Sequence, residues 1–456
     1  MVDTDLRCVV SVSGFRGVVG ESIDPATVLA LAQAYGSSIA KGGLVVLGRD
    51  SRPTGAMFAQ AAAAGLRAAG CDVVDCGIVP TPTVPIMIKR LKAAGGLQIS
   101  ASHNPVEWNA LKCFDRRGRN IDQRQLDRLL RAYAAGSQAV AWHAAGQHWS
   151  DDSAALVHLE RVLHSLDVDA IRARGFTVLV DCVNGAGAVL APRLLRELGC
   201  RVLPLHDDTG ALFPRDPEPT AEKVTETGAV VRAVGADVGF VQDPDADRLA
   251  IIDGTGRYIG EEYTLVLCAA ARLAAARAAG NRRPVACTNL STSRMLEDVA
   301  AQAGGQVVRS AVGEANVVDA MQAHAAVIGG EGNGGVIDPR VVLGRDSHIG
   351  MGLILELLAH RAASLSAVLR EIPRYAMHKE KVPADRSAVD AACTRIRAAG
   401  WAADASLDER DGLKLSWEDR WVHLRASGTE PASRIIAEAP TIRQARALAG
   451  QVRRLL

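Results

Sequence analysis

Aromatic side chains make up only 4% of the 456 residues, so whatever core the chain builds must rest on Ala, Val, Leu and Ile. Lysine is scarce too: Lys41, Lys89, Lys92, Lys112, Lys223, Lys379, Lys381 and Lys414 are the whole complement. Neither sign of charge is in excess, with 52 Lys+Arg against 51 Asp+Glu and a net charge of +1. A dedicated nucleic-acid or acidic-membrane binder carries a basic surplus, so the balance argues against both. There is no CxxC pair, and the nine cysteines are scattered. That argues against a disulfide framework or a thiolate zinc site, and for a reducing compartment. The most apolar stretch, 263–271, is followed by Arg272 and Arg277 and is too short to span a bilayer. Asp3, Asp5 and Arg7 stand where a secretory signal would need apolar residues. These absences predict a cytoplasmic protein with no nucleic-acid or membrane partner.

What is present suits a globular protein: 48% hydrophobic and 23% charged residues, with 43 glycines. The length alone suggests about three domains. Short Val/Ile runs at 44–48, 72–75 and 97–100 alternate with Ala/Leu/Arg segments at 25–40 and 55–69 that have a helical period. This βαβ pattern predicts a mostly parallel sheet. It restarts with strands at 176–181, 201–205, 238–242 and 249–253, and again at 284–288, 306–309 and 326–329. After residue 371 the pattern changes. Strands at 413–417, 421–425 and 434–438 are separated only by turns and flanked by helices at 387–399 and 441–455, an α+β layer. The polar stretches 146–153 and 373–386 read as boundaries, the second as a hinge.

Four loops carry chemistry. Ser100-Ala101-Ser102-His103-Asn104-Pro105 leaves a strand directly, which suits a serine nucleophile or phosphate carrier. Alone, it reads better as a polar turn. Asp243-Pro244-Asp245-Ala246-Asp247-Arg248 also follows a strand. Three carboxylates at alternate positions repel unless a cation joins them, and all-oxygen ligands favour Mg²⁺ or Mn²⁺ over zinc. An EF-hand does not fit, because Arg248 and Gly254 occupy the places of its glycine and glutamate. In Gly329-Gly330-Glu331-Gly332-Asn333-Gly334-Gly335 the glycines permit close backbone approach, and Glu331 and Asn333 could grip sugar hydroxyls. No Lys-Ser/Thr follows, so it is not a Walker A loop; a flexible turn is the plainer alternative. Arg425-Ala426-Ser427-Gly428-Thr429-Glu430-Pro431, with Arg434 beyond, offers guanidiniums, hydroxyls and free N–H groups to a phosphate. It also reads as a hairpin turn with surface arginines. Lys112, at the end of Glu107-Trp108-Asn109-Ala110-Leu111-Lys112, is placed for proton transfer or phosphate binding if that segment lies near the serine loop.

The ordered set of loops resembles the α-D-phosphohexomutase superfamily over essentially the whole chain: phosphoglucomutases, phosphomannomutases and phosphoglucosamine mutases. Further matching elements are Ser13-Gly14-Phe15-Arg16-Gly17, Gly48-Arg49-Asp50-Ser51-Arg52, Asn184-Gly185-Ala186-Gly187, and Phe213-Pro214 with Pro217-Glu218-Pro219. The glycine loop, Gly344-Arg345-Asp346, the 107–112 segment and Val312-Gly313-Glu314-Ala315-Asn316-Val317 are similar to the archaeal-type phosphoglucosamine mutases. The resemblance implies three similar mixed-sheet α/β domains at 1–152, 153–254 and 255–370, then an α+β domain at 371–456, around a central cleft. It implies that Ser102 carries a phosphoryl group and that Mg²⁺ is held by Asp243, Asp245, Asp247 and a phosphoserine oxygen. Arg248 would hold the phosphoserine region, with Glu331, Gly332 and Asn333 on the sugar. Arg425, Ser427, Gly428, Thr429 and Arg434 would grip the non-reacting phosphate.

One departure matters. Where the family's sugar loop often has a histidine proposed for proton transfer, this chain has Gly335. Lys112, Arg16 and His103 are the remaining candidates for catalytic groups near Ser102. The expected reaction is interconversion of hexose 6-phosphate and hexose 1-phosphate through a 1,6-bisphosphate, which also serves as activator. Glucosamine phosphate is the first choice, with mannose or glucose phosphate as alternatives. A metal-dependent sugar phosphatase and a non-catalytic sugar-phosphate sensor are the readings from other classes. The partner is a phosphosugar, and the state is monomer or homodimer.

Overall fold

A computed structural model describes residues 5–136, 138–426 and 433–456. The chain divides into two compact units: Met1–Ala271 with Asn333–Ala367, and Arg272–Gly332 with Val368–Leu456.

The first unit contains two sheets. Its larger sheet has β1 (Val9–Ser11), β2 (Gly14–Val18), β3 (Val45–Arg49), β4 (Val73–Ile78), β5 (Gly95–Ile99), β6 (Trp108–Asp115) and β7 (His148–Ser150), in the order β1-β2-β6-β5-β3-β4-β7. β3 is parallel to β4 and β5, whereas β6 is antiparallel to β5 and β2, so the sheet is mixed. The sequence pattern did not mark β6. Its polar residues Asn109, Lys112 and Asp115 are buried, which breaks the apolar run that marks a buried strand. β7, an exposed three-residue edge strand parallel to β4, lies in the stretch expected to be a boundary.

The helix Pro25–Tyr35 starts as its sequence dictates. Asp24 accepts the Thr27 N–H at 2.7 Å, and proline occupies the first turn. The expected helix to residue 40 instead widens into a π-turn at Gly36–Ala40. There the Ser37 and Ser38 hydroxyls both bond back to Ala34 O, in competition with the regular ladder.

The second sheet has β8 (Thr177–Asp181), β9 (Arg201–Leu205), β10 (Val238–Gln242) and β11 (Leu249–Asp253), in the order β11-β10-β8-β9. β8 is parallel to β9 and β10, and β10 pairs antiparallel with β11 through the turn at 243–248.

In the second unit β12 (Val285–Asn289) lies parallel between β13 (Gln306–Ser310) and β14 (Ile328–Glu331). β15 (Gly335–Ile337) and the helix Ser347–Arg361 belong to the first unit. The last sheet, with β16 (Ala376–Val382), β17 (Ser406–Asp408), β18 (Leu413–Ser416), β19 (Trp421–Ala426) and β20 (Ser433–Ala439), is antiparallel in the order β16-β20-β19-β18-β17. Its helices Arg386–Arg397 and Ile442–Arg453 share its core. The stretch 373–386 is therefore not the plain linker expected: β16 pairs with β20 over seven residues. It reads as polar because it is an edge strand whose charged Lys379 and Lys381 alternate with other residues.

The expected class, three mixed-sheet α/β domains and an α+β domain, is the one observed. All nine cysteines are buried, and none forms a disulfide. Among the described residues, no single helix is long and apolar enough to cross a membrane.

Gly95 shows how tightly the first core is filled. A Cβ there would lie 2.7 Å from Phe114 O and closer still to the Tyr35 hydroxyl, which donates to Phe114 O at 2.6 Å. Gly95→Ala is expected to cost about 1–3 kcal/mol by overpacking. Urea unfolding measures it, and Tyr35→Phe in the same chain should recover part of the loss; an unchanged midpoint for the single variant contradicts this packing.

Candidate active site

Two loops at the ends of strands build the centre of the first unit. β5 ends at Ile99, and the chain turns at Ser102 with φ +52°, a left-handed conformation that costs a non-glycine residue energy. Surrounding bonds hold it there. The Ser102 N–H donates to Ser100 Oγ at 2.9 Å, and Ser100 Oγ donates to Asp50 at 2.7 Å. Arg52, whose side chain is fully buried, pairs with Asp50 at 3.1 Å. Its guanidinium donates to the carbonyls of Ser102 and Asn104 at 2.7 Å each, of Pro105 at 2.5 Å and of Trp108 at 2.9 Å. Phe213, known before only as part of a motif, lies with its ring 5.1 Å from the Arg52 guanidinium carbon.

The second loop joins β10 to β11. Asp243, Asp245 and Asp247 are all buried, and a ligand oxygen from each lies within 4.8 Å of the others. Ser102 Oγ donates to Asp243 Oδ2 at 2.9 Å, so the serine and the acidic loop meet. Lys112 arrives from β6 and places Nζ 2.5 Å from Asp245 Oδ2 and 3.9 Å from Asp247 Oδ2. The Thr81 hydroxyl also donates to Asp245 Oδ2. Arg345 Nη2 is 2.7 Å from Asp247 Oδ2, and Arg248 Nε is 3.8 Å from Asp247 Oδ1. Arg16 reaches Asn104 Oδ1 at 2.7 Å.

The electrostatics separate the carboxylates. Burial, then Asp247 and Asp245, push Asp243 well above the usual carboxylate range. Burial acts on Asp245 in the same direction, but Lys112, Thr81 and Arg345 outweigh it and hold that carboxyl low. Burial, with Arg248 and Arg16, pushes His103 down to about 2, so its ring is neutral. Asp245 Oδ1 and Asp247 Oδ1 are buried with no hydrogen-bond partner among the described residues. Orphaned carboxylate oxygens converging in a dry turn fit a hard divalent cation, and an all-oxygen set suits Mg²⁺ better than zinc.

The structure thus brings together Ser102, His103, Lys112, Arg16, Asp243, Asp245, Asp247 and Arg248. Glu331, Gly332, Arg425 and Arg434 lie in the second unit, and Asn333 in the first. Glu331 Oε1 accepts from Asn289 Nδ2 at 2.8 Å and from the Gly313 N–H at 3.1 Å. The Gly332 N–H donates to Thr292 Oγ1 at 3.1 Å, and Lys379 Nζ donates to its carbonyl at 3.3 Å. Asn333 Oδ1 accepts from the Gly335 N–H at 3.2 Å. Arg425 on β19 stands directly opposite Arg434 on β20, and Lys381 on β16 registers with Arg434 from the other side. Two arginines directly opposite one another on neighbouring strands repel. Asp411 meets Arg425 Nε at 3.1 Å. Ser427, Gly428 and Thr429 lie outside the described residues.

Four contributors escaped the sequence reading: Arg52, Thr81, Arg345 and Lys381. Arg52 had a signal in Gly48-Arg49-Asp50-Ser51-Arg52 directly after a strand. Arg345 likewise stands in the matching element Gly344-Arg345-Asp346, with no role attached to it there, whereas Thr81 and Lys381 are placed only by tertiary contact or strand register.

A serine held against a buried carboxylate cluster, ringed by lysine and arginine, is equipment for metal-assisted phosphoryl transfer. Comparison with known proteins gives the class a family. The phosphoglucomutase/phosphomannomutase α/β/α domains I, II and III match residues 9–140, 157–256 and 261–375, and the C-terminal domain matches 379–455. A phosphoglucomutase/phosphomannomutase of Thermococcus kodakarensis is 37% identical, with 95% of each chain covered. A probable phosphoglucosamine mutase of Methanopyrus kandleri is 34% identical over 96% of this chain and 95% of its own. The crystal structure of a putative phosphomannomutase from Thermus thermophilus superposes with a TM-score of 0.81 at 28% identity, covering 98% of this chain and 99% of its own. The chain belongs to the phosphoglucomutase/phosphomannomutase family, the α-D-phosphohexomutases, and is an isomerase of that class.

Because burial and its neighbours favour the protonated form of Asp243, a cation and a proton compete for it. Titration calorimetry with Mg²⁺, in buffers of different ionisation enthalpy, is expected to show proton release and an affinity that falls as the pH is lowered. Binding that releases no proton at any pH contradicts the assignment.

Proposed function

We propose that this phosphohexomutase acts on glucosamine phosphate, with Ser102 as phosphoryl carrier. The observation that carries the reading is Ser102 itself: a left-handed serine that donates to Asp243 at 2.9 Å beside two orphaned carboxylate oxygens. Phospho-Ser102 would give its phosphoryl group to a free sugar hydroxyl. The bond from phosphorus to Ser102 Oγ breaks, one to the sugar oxygen forms, the hydroxyl's proton ends on the released Ser102 Oγ, and a hexose 1,6-bisphosphate results. That intermediate would turn over and return its other phosphate to Ser102. Free hexose 1,6-bisphosphate would act as activator by re-phosphorylating a bare serine.

Asp243, Asp245, Asp247 and a phosphoserine oxygen would hold Mg²⁺, which would supply positive charge to the transferring phosphoryl oxygens. Lys112 Nζ is engaged with Asp245, so we assign it to charge neutralisation rather than proton abstraction. Arg16 and Arg248 add cationic charge around the serine loop. His103, kept neutral, serves as a hydrogen-bonding group and not as a cation.

Glu331, fixed by Asn289 and Gly313, would accept from sugar hydroxyls or the C2 ammonium, with Gly332 and Asn333 beside it. Arg425 and Arg434, with Ser427, Gly428 and Thr429, would take the phosphate that is not reacting. The repelling arginine pair supports that assignment. Relatives named as probable phosphoglucosamine mutases support the sugar. We place the enzyme in the cytoplasm as a monomer or homodimer, with domains at 1–152, 153–254, 255–370 and 371–456. Nine cysteines without a disulfide suit that compartment.

The test is a side-by-side assay of glucosamine, glucose and mannose 6-phosphates with Mg²⁺ and bisphosphate activator. The highest kcat/KM is expected for glucosamine 6-phosphate. Ser102→Ala should lose one phosphate by intact mass and at least about 1,000-fold in turnover. A large kcat/KM advantage for glucose or mannose overturns the sugar assignment. Release of inorganic phosphate at turnover rates overturns the transfer mechanism.

A further inference from the structure

Arg345 comes from the segment before the helix Ser347–Arg361, far in sequence from the Asp243–Asp247 turn, yet its guanidinium meets Asp247 Oδ2 at 2.7 Å. Its side chain is 15% exposed and that of Asp247 is 3%, so the pair is largely shielded from water. Its backbone is pinned by the next residue. The Asp346 N–H donates to Val336 O at 2.8 Å, and the fully buried Asp346 carboxylate sits 3.0 Å from His158 Nε2 and 3.0 Å from His348 Nδ1. The alkyl stem of Arg345 then lies across Gly335. A Cβ on Gly335 would stand 2.9 Å from Arg345 Cγ, closer still to its Cδ, and 3.1 Å from Asn333 Oδ1. A side chain at 335 and this placement of Arg345 exclude one another.

We propose that Arg345 is a positioning residue for phosphoryl transfer, and that position 335 is glycine because the Arg345 stem fills the space its side chain would need. The planar guanidinium fixes the Asp247 carboxylate in one orientation by holding its Oδ2 at 2.7 Å. The inference rests on the reading that Asp243, Asp245 and Asp247 hold Mg²⁺.

The experiment is a double-mutant cycle in the full-length protein with Arg345→Ala, Gly335→His and the pair combined, plus Arg345→Lys. Readouts are Mg²⁺ affinity by calorimetry with the metal alone, kcat and KM for the preferred hexose 6-phosphate at saturating Mg²⁺, and the melting temperature. Arg345→Ala is expected to weaken Mg²⁺ binding about 10-fold or more. It should lower kcat about 100-fold with little change in KM, and Arg345→Lys should recover part of both. Gly335→His should show a similar loss, and adding Arg345→Ala to it should cause no further loss, because the histidine has already displaced the arginine. If Gly335→His does not fold, Gly335→Ala is expected to weaken Mg²⁺ in the same direction. Losses that multiply in the combined variant, or Mg²⁺ affinity unchanged in folded Arg345→Ala, overturn the proposal. Wild-type protein that neither binds Mg²⁺ nor turns over overturns the underlying reading, and this inference with it.

Discussion

Three buried carboxylates within one turn repel one another. At 4 Å and an effective dielectric near 20, two such charges interact by about 4 kcal/mol. Much of the first unit can be understood as an answer to that repulsion. Lys112 neutralises Asp245 from β6, Arg345 meets Asp247 from the segment before a helix, and the Ser102 hydroxyl donates to Asp243. What remains unanswered is a pair of buried oxygens, on Asp245 and Asp247, that no described residue satisfies. A cation would complete the arrangement, and a phosphoryl group at Ser102 would meet it. The strain of the acidic turn and the chemistry of the site have one origin.

The serine loop carries its own cost, and again burial of charge offsets it. Ser102 is left-handed without being glycine. One guanidinium, Arg52, gathers four main-chain carbonyls of the loop, so the backbone cannot relax out of that conformation. Arg52 is itself held by Asp50, which also accepts from Ser100 two residues before the serine. The planar fork of arginine suits this; an ammonium could not span the same acceptors. Such rigidity suits the phosphoryl-carrier role proposed for Ser102.

Legibility from sequence followed locality. Strands at 201–205, 238–242 and 249–253 coincide with β9, β10 and β11 because each is a short apolar run bounded by turn residues. β6 and β16 were missed for opposite reasons. β6 buries polar side chains because the site needs them there, and β16 exposes charged ones because it is an edge. The acidic turn was readable as a candidate metal site because its three carboxylates are two residues apart in one loop. Arg345 was not, since nothing in a sequence places residue 345 over residue 335 and against residue 247.

The sequence by itself determined the acidic turn, the serine loop that leaves a strand, the alternation of strands and helices, and the family those motifs define. Each of these is encoded within a few residues, where spacing and backbone geometry suffice. Only the tertiary structure decided that the serine donates to the first aspartate, that Lys112 is committed to the second, and that Arg345 stands where a side chain at 335 would be. Those are encounters between segments more than a hundred residues apart, or across a reversed chain. Burial, which forces each polar group to find a partner from another segment, sets them.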